Sequence, residues 1–252
     1  MTQEITTTQK VAIVTGGGSG LGYAIAQKLV QENVKTIIIG RDAQKLQNAK
    51  EAFGDNCFTV SFDLSNLSGI PALVQELAKE HGTLDILVNN AGINQKKPLT
   101  EVTDEDFQQI IQTNLTAVFA LSREVAKIMI AQGSGSIINI SSMAAQYGIP
   151  KVVSYSAAKT GVEGMTRAMA VDLSPLGIRV NCVAPGFIET DMSAKALNND
   201  PERKNKVLSR TPMGKLGKPS DVAEAVYFFA SDASGYITGT VLPVDGGNSI
   251  GF

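Results

Sequence analysis

Tyr155 and Lys159 have the residue types and the spacing that suit acid–base chemistry. Residues four apart share one face of a helix, so the ammonium group would lie near the phenol. A free phenol has a pKa of about 10, and a neighbouring ammonium stabilises the phenolate and lowers that pKa. Ser142, which follows a predicted strand, could donate a hydrogen bond to a substrate oxygen. These residues would suit general acid–base catalysis, and an ordinary helix-surface pair, which is common, is the alternative for Tyr155 and Lys159.

A glycine-rich turn near the start of the chain predicts a diphosphate site. Glycines let backbone N–H groups approach a ligand closely, and the predicted helix behind them offers unpaired N–H groups and a positive dipole end. The spacing Thr15-Gly16-x-x-x-Gly20-x-Gly22 differs from the usual dinucleotide fingerprint, and Tyr23 stands where a Walker A loop requires lysine. A glycine-rich turn without a ligand is the alternative. The candidate contact residues are Gly16, Gly18, Ser19, Gly20, Leu21 and Gly22.

Arg41 follows the second predicted strand and bears on the choice of nucleotide. An acidic residue at the end of this strand would bind the ribose 2′-hydroxyl of NAD, whereas an arginine accommodates the 2′-phosphate of NADP. Gly40 occupies the acid position, and Arg41 supplies a planar cation suited to phosphate. Asp42 is interpreted as the N-cap of the next helix. The sequence therefore favours NADP(H) and leaves NAD(H) possible.

Polar residues also follow the third and fourth predicted strands. The carboxylate of Asp63, which precedes Leu64, could accept a hydrogen bond from an adenine amino group, or it could cap the helix predicted from Leu67. The fourth strand ends in the turn Asn89-Asn90-Ala91-Gly92, whose small and amide residues let the backbone pass close to a ribose. The two asparagine side chains could equally brace neighbouring strand ends, and we expect both roles in this turn.

Alternating apolar strands and amphipathic helices position these residues. The 252 residues are 43% hydrophobic and 18% charged, which fits one globular domain. Strands are predicted at Val11–Thr15, Lys35–Ile39, Cys57–Phe62, Ile86–Asn89, Ser136–Ile140, Ile178–Ala184 and Val241–Val244. Helices are predicted at Tyr23–Gln31, Ala43–Phe53, Leu67–His81, Asp104–Gln132, Tyr155–Leu173 and Ser220–Ala230. The pattern predicts an α/β fold, a single doubly wound Rossmann-type domain whose mostly parallel sheet has helices on both faces.

Charge and composition argue against several other classes of protein. The net charge of −2 and the scattered basic residues do not suggest a nucleic-acid site, and no apolar run reaches membrane-spanning length. Residues 1–9 are polar and are expected to form a disordered lead-in, with the cytoplasm as location. One histidine and two distant cysteines predict neither a metal site nor a Ser-His-Asp triad. The long stretch 186–219 lacks a clear pattern and is expected to be an irregular substrate lid.

Together the motifs resemble the short-chain dehydrogenase/reductase family. The glycine turn, the Asn89–Gly92 turn, Ser142 and Tyr155-x-x-x-Lys159 occur in the family's order, and the resemblance extends from Lys10 to the Asp245-Gly246-Gly247 close. It implies a Rossmann-type sheet of seven strands. It also implies hydride transfer between a nicotinamide and a carbonyl or alcohol carbon.

The resemblance assigns roles to individual residues. Tyr155 would be the acid and base at the carbonyl oxygen, and Ser142 would hold that oxygen. Lys159 would bind the nicotinamide ribose and tune Tyr155, while Asn114 would hold a water in a proton relay to Lys159. The nicotinamide amide would contact the segment containing Pro185, Gly186, Ile188 and Thr190, chiefly through its last two members. Some NADP-dependent members carry a basic residue where Ser19 stands, which leaves Arg41 as the visible phosphate ligand. The family also implies a homotetramer.

Shorter resemblances bear on the substrate, expected to be a small carbonyl compound or alcohol. Segments 183–192 and 236–239 are similar to bacterial 3-oxoacyl-acyl-carrier-protein reductases, which dock an acidic carrier through two arginines. The matching positions here are Gly133 and Leu176, so the steering charge for a carrier is missing. We expect NADP(H)-dependent reduction of a 3-oxoacyl thioester or another ketone.

Two alternatives remain open. Segment 209–215 resembles sugar-acid and polyol dehydrogenases such as gluconate 5-dehydrogenase, which gives a sugar-acid dehydrogenase as the alternative enzyme. A more remote alternative is an NADP(H)-sensing module without turnover. Such a module would be expected to lose Tyr155 or Lys159, and both are present.

Overall fold

The predicted strands form one sheet, and every strand pair in the described chain is parallel. The computed structural model describes residues 9–190 and 201–251. The strands are β1 Val11–Thr15, β2 Lys35–Gly40, β3 Cys57–Ser61, β4 Ile86–Asn89, β5 Gly135–Ile140, β6 Ile178–Pro185 and β7 Val241–Val244. Their order is β3-β2-β1-β4-β5-β6-β7. The predicted doubly wound sheet is confirmed, and it is wholly rather than mostly parallel.

Helices cover both faces of this sheet. They are α1 Gly20–Gln31, α2 Ala43–Phe53, α3 Ile70–His81, α4 Asp104–Ile111, α5 Ala117–Gln132, α6 Val153–Leu173, α7 Pro201–Arg210 and α8 Pro219–Ala230. None of the helices in the described ranges has the length and apolar character that a bilayer span requires.

Strand β1 explains why the central strands are apolar throughout. Alternate side chains of a strand point to opposite faces of the sheet. Ala12 and Val14 pack in the apolar layer with α1, α2 and α8, whereas Val11 and Ile13 pack in the layer with α3 and α5. Since helices cover both faces, both sides of the strand are buried, and an alternating polar pattern is absent.

The helix predicted over Asp104–Gln132 is interrupted by a π-helical turn. Helix α4 ends at Ile111, the turn spans Gln112–Thr116, and α5 follows directly. Asn114 lies in this turn with no exposed surface. Such turns within helices are frequent at functional sites, because they displace the backbone and redirect side chains. Side-chain periodicity did not predict it, since the apolar face continues through it.

The stretch 186–219 was predicted to be irregular, and this is wrong for Pro201–Arg210, which is helix α7. The end of α7 is fixed to the C-terminal segment. Arg210 Nε donates to the carbonyl of Asn248 at 3.0 Å, and Asn248 Nδ2 donates to Thr211 Oγ1 at 2.9 Å. Residues 191–200 of the expected lid, and residues 1–8 of the expected lead-in, lie outside the described residues.

Candidate active site

The polar residues singled out above meet at the carboxyl edge of the sheet. The parallel register pairs Thr15 with Ile39, Asn89 with Asn139, and Ile140 with Val183. The segments that follow these strands therefore emerge side by side. In doubly wound sheets this edge, where the strand order reverses, is where ligands bind.

The glycine turn after β1 is shaped by close backbone contacts. Gly16 has a φ of 69°, a left-handed conformation that glycine adopts without strain. A Cβ on Gly22 would lie 2.2 Å from the carbonyl oxygen of Gly16 and 2.5 Å from Asn90 Nδ2. At Gly20, by contrast, a Cβ would meet nothing within 4 Å. The turn is thus tightly packed at Gly22 and open at Gly20.

The N-terminus of α1 fits an anion. Ser19 occupies the N-cap position, but its side chain makes no capping hydrogen bond, and the first turn of α1 carries no acidic residue. The first N–H groups of a helix have no partner within the helix, and the helix dipole makes this end positive. Ser19 and Gly20 are exposed. The turn and helix end therefore fit the diphosphate of a dinucleotide.

Thr15 ties the glycine turn to the turn after β4. Its Oγ1 accepts hydrogen bonds from the N–H groups of Asn90 and Ala91, both at 2.9 Å. Asn90 Nδ2 donates to the carbonyl of Thr15 at 2.9 Å. Asn89 is buried, and its Nδ2 lies 2.9 Å from both Ser122 Oγ and Asn139 Oδ1. Through these contacts both asparagine side chains brace neighbouring strand ends.

Arg41 and Asp63 lie at the ends of β2 and β3, on the far side of the glycine turn. Both are exposed, and the Arg41 guanidinium contributes to lowering the pKa of Asp63 after the hydrogen bonds from Ser65. Asp42 caps α2 by accepting from the N–H of Lys45 at 3.1 Å, as predicted.

The capping alternative for Asp63 is wrong. The side chain of Asn66 caps the short 3₁₀ turn at Leu67–Gly69, where it accepts from the N–H of Gly69. Asp63 instead accepts from the N–H of Ser65 at 2.9 Å. One carboxylate oxygen thus serves the local turn, and the side chain remains exposed beside Arg41.

Ser142, Tyr155 and Lys159 form one cluster. The Ser142 hydroxyl interacts with the Tyr155 phenol, and Lys159 Nζ lies 5.7 Å from the centroid of the Tyr155 ring. Lys159 is buried, and its Nζ donates to the carbonyl of Ile140 at 2.7 Å. Strand β5 and helix α6 therefore bring the predicted catalytic residues together.

The protonation of this cluster differs from the expectation. Burial raises the pKa of Tyr155 above its usual value, and the Ser142 hydroxyl opposes that change. Burial also lowers the pKa of Lys159 from 10.5 to about 8. The ammonium was expected to lower the phenol pKa, but it is directed to the Ile140 carbonyl beside the ring. Desolvation therefore dominates for both groups.

Asn114 lies at the back of the same cluster. Its Oδ1 accepts from the N–H of Ile93 at 2.8 Å, and its Nδ2 donates to the Ile93 carbonyl at 2.7 Å. A Cβ on Gly92 would lie 3.2 Å from Asn114 Oδ1 and 3.7 Å from Lys159 Nζ. Asn114 and Lys159 therefore flank the chain after β4, but the Asn114 side chain is used to hold Ile93.

The segment after β6 lies next to the end of β7. Gly186 donates its N–H to the carbonyl of Val244 at 3.0 Å, and Ile188 is buried in a parallel bridge with Gly217. Thr190 is the last described residue before residues 191–200. The structure places this segment at the same edge of the sheet as Ser142.

A cavity of about 450 Å³ is lined by the loop between Ser142 and Tyr155 and by Lys97. Lys151 and Tyr147 belong to this lining. The Arg210 guanidinium stacks 4.7 Å from the centroid of the Tyr147 ring. Two lysines thus lie in the lining of this cavity, which does not include Ser142, Tyr155 or Lys159.

Ser141 and Glu163 contact the cluster and were absent from the predicted site. Ser141 Oγ donates to Glu163 Oε1 at 2.8 Å, and both residues are buried. A signal existed for Glu163, which follows Lys159 by four positions and shares its helix face. Charged residues are almost never fully buried unless paired, so the burial of this position is not expected from the sequence.

Comparison with known proteins decides the family. A family model described as enoyl-(acyl carrier protein) reductase matches residues 16–249. The chain belongs to the short-chain dehydrogenase/reductase family. It is accordingly an NAD(P)-dependent oxidoreductase, as the sequence motifs predict.

The family's members similar to this chain differ in their described substrates. The 3-oxoacyl-acyl-carrier-protein reductase FabG of Vibrio cholerae is 41% identical over 238 residues, which cover 94% of this chain and 96% of the relative. A crystal structure described as a gluconate dehydrogenase from Agrobacterium tumefaciens has a TM-score of 0.93 at 36% identity, covering 96% and 97% of the two chains. A structure described as a gluconate 5-dehydrogenase from Beutenbergia cavernae, with bound NADP, has a TM-score of 0.90 at 38% identity and the same coverage.

Proposed function

We propose that this protein reduces a ketone to a secondary alcohol with NADP(H), and that the ketone is a 3-oxoacyl thioester or a related compound. The observation that carries the proposal is the contact of Ser142 with the Tyr155 phenol, with buried Lys159 beside the ring. A proton donor, a hydroxyl and a cation in one cluster match what carbonyl reduction requires.

Tyr155 protonates the carbonyl oxygen. Because burial raises its pKa, the phenol keeps its proton at neutral pH and can donate it during reduction. Ser142 positions the same oxygen by donating a hydrogen bond as negative charge develops on it. Lys159 supplies a positive charge that stabilises the phenolate left behind. The reverse reaction needs the phenolate, so it is favoured at higher pH.

The nicotinamide, when bound, supplies or accepts the hydride at the carbon. The glycine turn and the start of α1 would hold the diphosphate, and Lys159 would hold the nicotinamide ribose. The turn after β4 would bind along the cofactor, and Asp63 and Leu64 would bind its adenine. The segment 185–190 would bind the nicotinamide amide. Asn114, whose side chain also holds Ile93, would hold the water of a proton relay to Lys159.

NADP(H) is proposed over NAD(H) because of Arg41. Its side chain is exposed at the end of β2, and Gly40 leaves no carboxylate where an NAD-specific acid would stand. Asp42 is engaged as the N-cap of α2, which accounts for this carboxylate without a role at the ribose. The similar structure with bound NADP supports the same preference.

A thioester without a carrier protein fits this surface better than a carrier-bound one. FabG, at 41% identity, is named for a carrier-bound substrate. Gly133, however, is the left-handed C-cap of α5 with a φ of 73°, and Leu176 is an exposed apolar residue. An acidic carrier would find no cation at these two positions.

A sugar-acid dehydrogenase is the second candidate, because of the cavity lined by the loop that follows Ser142. Lys151 and Lys97 line it, Lys97 being paired with Asp106, and Arg210 stacks on Tyr147 of the lining. Such charge suits a substrate carboxylate. Two similar solved structures described as gluconate dehydrogenases point the same way.

Turnover of a small substrate panel tests these candidates. Purified protein is supplied with NADPH or NADH and with acetoacetyl-coenzyme A, 5-ketogluconate or a simple activated ketone. The absorbance of the reduced nicotinamide reports turnover. We expect NADPH to be oxidised with the thioester. Turnover confined to 5-ketogluconate would favour the second candidate, and NADPH binding without any turnover would favour a sensing module.

Tyr155→Phe is the matched control for this assay. It removes the phenol oxygen and leaves the ring, so kcat should fall by roughly 10²–10⁴-fold, while NADPH affinity changes little. Fluorescence titration of NADPH measures the affinity. Retained turnover in this variant would contradict the proposed role of Tyr155.

The oligomer is proposed to be a homotetramer assembled through the helices that carry Asn114 and Tyr155. Phe107 on α4, Phe119 on α5 and Val171 on α6 are exposed apolar residues. Contact between copies would remove this apolar surface from water. Sedimentation equilibrium tests the stoichiometry, and a monomer at micromolar concentration would contradict the proposal.

A further inference from the structure

Three consecutive residues at the end of β5 each hold a different residue of α6. The carbonyl of Ile140 accepts a hydrogen bond from Lys159 Nζ at 2.7 Å. The next residue, Ser141, donates through Oγ to Glu163 Oε1 at 2.8 Å. Ser142, which follows, interacts with Tyr155. The strand end and the helix are therefore joined at three successive helical turns, and the contact of Ser141 with Glu163 uses two residues without a proposed catalytic role.

The helix side of this arrangement has a regular spacing. Tyr155, Lys159 and Glu163 follow one another at intervals of four, so they lie on one face of α6. Lys159 is 4% exposed, Glu163 is 7% exposed and Ser141 is 2% exposed. Burial of a carboxyl group is costly unless hydrogen bonds or charges compensate for it. A leucine would pack at such a position at less cost, so the carboxyl group requires an explanation.

Glu163 and Lys159 act with opposite charges on one buried group of β6. The thiol of Cys182 is buried, and its pKa is raised to about 12, first by burial and then by the negative charge of Glu163. The positive charge of Lys159 acts on the same thiol in the opposite direction. Among the described residues, Glu163 contacts Ser141 just after β5, its charge acts on Cys182 on β6, and Lys159 lies one turn away on its own helix. Lys159 is thus the cation among these groups.

We propose that Glu163 is a positioning residue for the reaction: through Ser141 it fixes the end of β5 against α6, and its charge keeps Lys159 protonated. Glu163 itself touches neither Tyr155 nor Ser142. It holds Ser141, and the residues on either side of Ser141 bind Lys159 and Tyr155. The inference rests on the proposed carbonyl reduction, because it assigns Glu163 an effect on that cluster.

Two variants separate the hydrogen bond from the charge. Glu163→Gln keeps a side-chain oxygen that can accept from Ser141 but removes the charge. Ser141→Ala removes the donor and keeps the charge. Glu124→Gln on α5 is the matched control, because Glu124 is also buried and is paired with Arg123 and Lys127 instead.

The expected result for Glu163→Gln is a change in kcat and in its pH dependence. Loss of a nearby negative charge makes the Lys159 ammonium less stable, so the alkaline limb of the kcat profile should move about one pH unit lower. The kcat at neutral pH should fall about tenfold, with KM for the carbonyl substrate nearly unchanged, because Glu163 does not contact substrate. Ser141→Ala should lower kcat without the pH displacement, and Glu124→Gln should change neither.

NADPH affinity is a second readout that does not require turnover. Fluorescence titration across pH should show weaker binding by Glu163→Gln at pH values above neutrality, since Lys159 is proposed to hold the ribose. If the wild type binds NADPH but reduces no ketone in the panel, the proposed function fails while this titration still tests Glu163. A purely structural role would lower the melting temperature and leave the pH profiles of kcat and affinity superimposed on the wild type. That outcome overturns the inference.

Discussion

The glycine turn after β1 and the cluster between β5 and α6 lie at the same edge of the sheet, yet they differ in burial and chemistry. The turn presents backbone N–H groups, and its front residues, Ser19 and Gly20, are exposed. The cluster presents side chains, and Lys159 and Glu163 are almost fully buried. The glycine turn is formed mainly by residues without side chains, whereas the cluster is formed by charged side chains that are buried in the interior.

This difference teaches where the protein gives up stability for function. An exposed turn built from backbone groups can bind an anion with little desolvation of its own. A buried ammonium loses its hydration, and the lowered pKa of Lys159 records that loss. Substitutions in the cluster should therefore separate activity from stability, whereas substitutions in the turn should reduce both.

Lys159→Met should give the largest separation. The substitution keeps the volume and removes the charge, so kcat should fall by roughly 10²–10⁴-fold. A pKa lowered from 10.5 to about 8 corresponds to ~3 kcal/mol of destabilisation. Below pH 8 both folded and unfolded chains bind the proton, and the whole destabilisation is present. Above pH 10.5 neither state binds it, and the destabilisation vanishes.

The variant should accordingly be more stable than the wild type by up to ~3 kcal/mol at pH 7, a gain that shrinks between pH 8 and 10.5. The unpaired carbonyl of Ile140 will reduce this gain. Urea unfolding at several pH values measures it, with Lys79→Met on the exposed surface of α3 as control. A loss of stability at pH 7 that does not vary with pH would contradict the argument.

The same contrast explains what the sequence could predict. The glycine turn depends on local backbone geometry, which the spacing of Gly16, Gly20 and Gly22 specifies directly. The strands are apolar on both faces, so their positions could be predicted from the runs of apolar residues. Tyr155 and Lys159 were found because a helix with spacing of four places them together, and the structure confirms their proximity.

What the sequence did not predict depends on contacts between distant segments. The partnership of Ser141 with Glu163 joins residues 22 positions apart, and the use of Asn114 to hold Ile93 spans 21. The direction of the Tyr155 pKa change depends on how much water the folded chain excludes. A local sequence pattern predicts neither the pairing of distant side chains nor their desolvation.

Gly22→Ala should weaken cofactor binding and stability together. The new Cβ would lie 2.2 Å from the Gly16 carbonyl oxygen and 2.5 Å from Asn90 Nδ2, so the turn must shift. Overpacking of this kind lowers the free energy of unfolding by about 1–3 kcal/mol, and NADPH affinity should fall about tenfold or more because the N–H groups move with the turn.

Gly164→Ala on α6 is the control, since a Cβ there meets nothing within 4 Å. It should stabilise the protein by about 0.5–1 kcal/mol without changing affinity. Urea unfolding and NADPH fluorescence titration measure both effects, and equal behaviour of the two variants would refute the packing argument.

Arg41→Ala should have the smallest effect and the most selective one. Arg41 is exposed, and water screens charges at exposed positions. A contact with the 2′-phosphate should therefore contribute a binding free energy near the lower limit for a charged hydrogen bond. The KM for NADPH should rise about tenfold, and the KM for NADH should stay the same, because NADH lacks that phosphate.

Lys45→Ala tests whether any nearby cation suffices, since Lys45 follows Arg41 by four positions and contacts Asp42. If Arg41→Ala weakens NADH as much as NADPH, Arg41 supports the shape of the turn and does not select the nucleotide. If only Arg41→Ala discriminates between them, the planar guanidinium and not the local charge carries the preference.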